Sequence, residues 1–151
     1  MPAVAALTTA PVPQYSKHEG PKYESRSCRL PSARILFEQA RQGLLDAEYA
    51  AHPVDRYVQA HLAALRAAAA VLAARARPRN RAQPISAWAL LVTVAPELAE
   101  WSAFFAASSA TRAAAEAGAH RLVTVRDADD LLRQAREFLD LARHAAARPS
   151  R

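Results

Sequence analysis

The stretch Asp55-Arg-Tyr-Val-Gln-Ala-His61-Leu-Ala-Ala-Leu-Arg-Ala-Ala-Ala-Ala-Val-Leu-Ala-Ala74 decides the fold. Ala, Leu, Arg and Gln dominate it and neither Gly nor Pro interrupts it, so it is expected to be the longest unbroken helix. Val58, Leu62, Leu65, Ala69 and Leu72 recur at three- and four-residue intervals and form one face; the opposite face is mostly Ala. A helix with Ala on nearly every side lets its neighbours come close, which predicts a place at the centre of a helical bundle.

Working outward, Ser32 caps a first helix running to about Ala50, with Leu36, Ala40, Gly43, Leu44 and Ala47 inward. Gly43 in a helix interior costs about 1 kcal/mol relative to Ala and marks either a close helix crossing or a tolerated defect. Pro53 stands at the first position of the Ala-rich helix, so the connection is short and the first two helices form an antiparallel hairpin. Ser86 caps a short third helix, Ala87 to Val94, and Pro96 opens a fourth that reaches about Ala117. Leu98, Trp101, Phe104 and Phe105 give that helix the bulkiest apolar face, which suits a core or, alternatively, a dimer interface. Gly118 stops it, and Thr124 with Asp127 resembles a capping box for the last helix, with Asp in place of the usual Glu or Gln. There Ala128, Leu131, Leu132, Ala135, Phe138, Leu139 and Ala142 point inward and Asp129, Arg133, Arg136, Glu137 and Asp140 outward. No stretch has a strand period. The fold class is all-α, an up-down bundle of four to five helices.

Residues 1–31 contain five prolines, at Pro2, Pro11, Pro13, Pro21 and Pro31, and no apolar period, so they are expected to be a disordered tail. They are either a solvated extension or a docking segment for a protein partner. The bundle then occupies 32–147 and a frayed end 148–151. The start of the chain lacks a secretory pattern, and Arg66 and Arg75 interrupt the most apolar stretch, so a soluble cytoplasmic protein without a membrane partner is expected. The single cysteine, Cys28, excludes an internal disulfide.

The net charge is +6 and the pI about 10.2, values that suit a partner with phosphates. Of the 20 basic residues only Lys17 and Lys22 are lysines, and the Arg/Ala bias resembles the codon signature of a GC-rich genome, which raises pI without selection for binding. The densest basic run, Arg75, Arg77, Arg79 and Arg81, is a candidate nucleic-acid-binding loop, or an ordinary polar loop after a helix end where arginines are favoured.

With glycines only at Gly20, Gly43 and Gly118 there is no phosphate-binding loop. The five histidines never fall at metal-ligand spacing, and no cofactor motif occurs. One pairing hints at chemistry: Arg56 and His61, the candidate catalytic residues. Cleaving a phosphodiester with its own 2′-hydroxyl needs a group that moves protons near neutral pH and a cation for the pentavalent phosphate, and His and Arg supply these without a metal. Five residues along a helix is roughly 140° of rotation, so the two share a face only if Arg56 belongs to an irregular first turn. The alternative is a core-edge histidine beside a solvated arginine.

The hairpin with Leu36, Ala40-Arg41, Leu44, Ala47 and the stretch from Asp55, together with Ser86-Ala-Trp-Ala-Leu-Leu, Ala95-Pro-Glu-Leu-Ala-Glu-Trp101-Ser-Ala-Phe-Phe105-Ala and Ala128-Asp-Asp-Leu-Leu132, resembles the HEPN superfamily (higher eukaryotes and prokaryotes nucleotide-binding domain), and within it an actinobacterial branch. The resemblance spans about Ser32 to Ala146. It implies a four- or five-helix bundle, a symmetric homodimer, an RNA or nucleotide ligand, and metal-independent endoribonuclease activity through an Arg-x4-6-His motif, matched here by Arg56 and His61. In active members that motif belongs to later helices, where this chain has Arg112 and His120 at a longer spacing. The rival reading is a non-catalytic helical module that binds a protein partner.

Overall fold

The computed structural model describes residues 32–76 and 86–148. Its helices are α1 (Ala33–Tyr49), α2 (Pro53–Arg75), α3 (Ala87–Val94), α4 (Ala99–Glu116) and α5 (Val125–Ala147). Short 3-10 turns, Pro96–Leu98 and His120–Leu122, precede α4 and α5. The described residues contain no strand. The tail expected over 1–31, the arginine loop beyond Ala76 and the last three residues lie outside the described residues.

The central position expected for α2 is observed: it touches α1, α3, α4 and α5. The side that faces inward is the alanine side. Ala60, Ala63, Ala64, Ala67, Ala68, Ala70 and Val71 are buried, with Tyr57 and His61. Val58, Leu62, Leu65, Ala69 and Leu72 are only half-buried. A helix surrounded by four others meets them at axis distances that only small side chains allow, so the alanines take the contacts and the larger residues flank them. Gly43 belongs to the same geometry. A Cβ there would lie 3.3 Å from the Ala63 Cβ and 3.1 Å from the Arg66 guanidinium, so this glycine marks the close crossing of α1 and α2.

α2 is also the one described helix long and apolar enough to cross a membrane, and half of its apolar window is buried inside the bundle, as in the core helix of a globular domain.

The expected inward set of α5 is buried in full. Its amino end carries the capping box, with the Asp127 amide donating to Thr124 Oγ1 at 3.1 Å and the Thr124 amide to Asp127 Oδ2 at 2.9 Å. Short Asp therefore serves where Glu or Gln is usual. The aromatic face of α4 divides: Leu98 and Phe105 are buried, Trp101 is half-buried and Phe104 is 41% exposed. Successive residues on a helix point about 100° apart, so Phe104 and Phe105 cannot both enter the core. Phe105 stacks on Trp88 at 5.3 Å and meets Phe138 at 5.2 Å, joining α3, α4 and α5.

Candidate functional site

Arg56 and His61 face different neighbours. The Arg56 guanidinium donates to the Ala47 and Ala50 carbonyls, each at 3.3 Å, and pairs with Asp129 of α5. It thereby adds donors to the last carbonyls of α1 and fixes the corner between α1, α2 and α5. His61 points the other way, toward α3 and α4, and is 1% exposed. Its Nε2–H donates to the Phe105 carbonyl at 3.0 Å, and the ring stands edge-on to Trp88 and Phe105 at 6.0 and 5.9 Å. The acceptor at Nε2 leaves the lone pair on Nδ1, which has no partner. The chain does not bring the two residues into a common cleft, because their separation along α2 is not a whole number of turns.

Burial holds the His61 imidazole below the ordinary histidine value, the Arg112 guanidinium adds to the depression, and the bond to the Phe105 carbonyl opposes it. The unfolded chain binds a proton here near pH 6.5 whereas the folded chain stays neutral, so His61 contributes stability above that pH that is lost as pH falls through the lowered folded value. Urea midpoints are expected to drop on acidification below roughly pH 6.5, and a His61→Gln chain, which keeps a donor for Phe105, should show a shallower drop. An identical pH profile in the two proteins would rule out this source. His61→Ala should cost about 2–3 kcal/mol at neutral pH through its cavity and lost hydrogen bond.

Arg75 is also turned inward. Its side chain is 9% exposed and pairs with Glu97 at 2.7 Å, tying α2 to the turn before α4. Of the four arginines expected to bind nucleic acid, this one is committed to an ion pair, and Arg77, Arg79 and Arg81 lie outside the described residues.

Unpaired polar groups converge elsewhere. His52 precedes Pro53 and is held in extended backbone at φ −111°, the conformation that the following proline favours. Its side chain makes no capping bond to α2. At the same end of the bundle Gly118 leaves α4 at φ 105°, a region that favours glycine, and the chain passes through His120 before Thr124 caps α5. The two connections enclose a cleft of about 410 Å³ lined by His52, Pro53, Val54, Asp55, His120 and Val123. The side chains of His52, Asp55 and His120 are exposed and make no hydrogen bond or ion pair with any described residue. Arg121, exposed and also unpaired, follows His120. No group of three His, Cys, Asp or Glu among the described residues could hold a metal ion.

A second depression, of about 470 Å³, lies at the opposite end, where α1 begins and α2 and α5 end. Its charged groups are largely engaged: Glu38 with Arg41 at 2.5 Å, and Arg143 over the Phe37 ring at 6.0 Å. Convergent polar groups without internal partners are what distinguish a ligand site from a surface groove, and that condition points to the His52–His120 cleft. Each histidine stands alone in its own connection, 68 residues apart in number, so no linear pattern joins them. The only local signal was an unpaired histidine beside a proline or an arginine in a short connection.

The family model of HEPN_SAV_6107-like HEPN domains matches residues 47–143, well over half of the chain. The chain belongs to the HEPN family. The match runs from the end of α1 into α5 and takes in all six residues that line the cleft. No curated protein and no solved structure matches the chain. The all-α bundle expected from the resemblance is thus the fold of this HEPN domain, reached with five helices.

Proposed function

We propose that this HEPN domain binds single-stranded RNA or a nucleotide in the cytoplasm at the His52–His120 cleft, and that it cleaves RNA there without a metal. The observation that carries the reading is two exposed imidazoles, free of internal partners, on one cleft. A neutral imidazole takes the proton of a ribose 2′-hydroxyl as that oxygen attacks the adjacent phosphorus. A protonated one gives its proton to the departing 5′-oxygen, leaving a 2′,3′-cyclic phosphate and a 5′-hydroxyl. Arg121 stands beside His120 to offset charge on the phosphate. Arg56 and His61 then support the site, Arg56 by fixing the α1–α2 corner that presents His52 and Asp55.

The purified chain is expected to cleave single-stranded RNA in excess chelator, with a bell-shaped pH dependence, since one imidazole must be neutral and the other charged. A protein that neither cleaves an RNA panel nor binds any mononucleotide would abandon the reading.

The homodimer implied by the resemblance has its own observation. From Trp101 to Thr111, α4 has no charged residue, and its outer side exposes Ala103, Phe104, Ala106, Ala107 and Ala110. A knob at Phe104 flanked by small residues suits a second copy of the same face, so a homodimer through α4 is proposed. Light scattering at tens of micromolar should give twice the 16.4 kDa of the chain, and Phe104→Glu should return it to one chain. A parent that scatters as one chain removes the dimer.

A further inference from the structure

One group in the cleft is not needed for proton transfer. Asp55 lies in the first turn of α2, its side chain exposed and without a hydrogen bond or ion pair, and it lines the same cleft as the two histidines. An acid in a first turn is favoured by the helix dipole, which explains its tolerance there but not the apolar surface beside it. Pro53, Val54 and Val123 line the cleft next to Asp55, and Val123 is buried. A volume of about 410 Å³ lies within the range of small-molecule sites.

The chemistry of a carboxylate restricts what it can read. It accepts at both oxygens and donates at neither, so its best partner presents two donors side by side. Among the Watson–Crick edges only guanine does so, with N1–H beside the N2 amino group. Adenine sets one donor against one acceptor, cytosine sets one donor against two acceptors, and uracil has a single N–H between two carbonyls. We propose that Asp55 makes this cleft selective for guanine, with the base against Pro53, Val54 and Val123 and the phosphate toward His52 and His120. The proposal rests on the RNA- or nucleotide-binding reading above and names the base that the site selects.

The test titrates the full chain with GMP, AMP, CMP and UMP, followed by calorimetry or by backbone amide shifts. GMP is expected to bind about tenfold tighter than the others, the discrimination of one good bidentate contact. Asp55→Asn replaces two acceptors by a donor and an acceptor, so GMP affinity should fall about tenfold while AMP or CMP gains. Equal affinities for all four nucleotides, sensitive to His120→Ala, would overturn guanine selectivity and leave the RNA reading standing. No binding by any of them would overturn guanine selectivity and, together with no cleavage of an RNA panel, the RNA reading as well. An Asp55→Asn chain that folds and keeps the GMP preference would overturn the assignment to Asp55.

Discussion

A chain in which His120 is replaced by Ala is expected to melt within a degree or two of the parent and to cleave RNA about 100-fold more slowly, or worse. The stability half follows from exposure: the side chain makes no hydrogen bond or ion pair, and surface changes of that kind stay within about 0.5 kcal/mol. The activity half follows from general acid–base catalysis, where one positioned proton carrier is worth roughly 10²–10⁴-fold. His52→Ala should lose a comparable factor. The double variant should be little worse than either single one, because two groups that act as a unit are not additive. Single-turnover cleavage in chelator measures all three. Full activity in the His120→Ala chain would take the chemistry away from this cleft.

Phe105→Ala is expected to be the most damaging single core change, at about 4 kcal/mol. For a bundle of this size that lowers the thermal midpoint by roughly 15 °C. The ring is fully buried, stacks on Trp88 at 5.3 Å and touches Phe138 at 5.2 Å. Its removal leaves a cavity bordered by three helices. The Phe105 carbonyl also accepts from His61 at 3.0 Å and from the Ser109 hydroxyl at 3.0 Å, so a local shift of α4 would leave a buried imidazole without its acceptor. Phe104→Ala, one residue away but 41% exposed, should cost under about 1 kcal/mol. Thermal and urea unfolding of the two variants checks the contrast. Similar losses in both would mean that α4 is seated differently.

The helices and their ends follow from short-range rules, which is why they are legible in the chain. Ser32, Ser86 and Thr124 each accept from a backbone amide three residues on, and Gly118 ends α4 at positive φ. The inward face of α5 follows from its period, because that helix is buried on one side only. α2 shows where local reading ends. Its largest apolar residues form the clearest stripe, yet a helix surrounded by four others selects for closeness, so the alanines and His61 are inside and the leucines at the flanks. HEPN membership is likewise written in the sequence, since residues 47–143 match the family model. The candidate site is not. A linear motif pairs Arg56 with His61 by residue type, although their spacing already sets them about 140° apart; the fold commits one to the α1 corner and buries the other. His52, Asp55 and His120 meet only because α2 begins and α4 ends at the same end of the bundle. That proximity is set by helix lengths and packing, which no local pattern encodes.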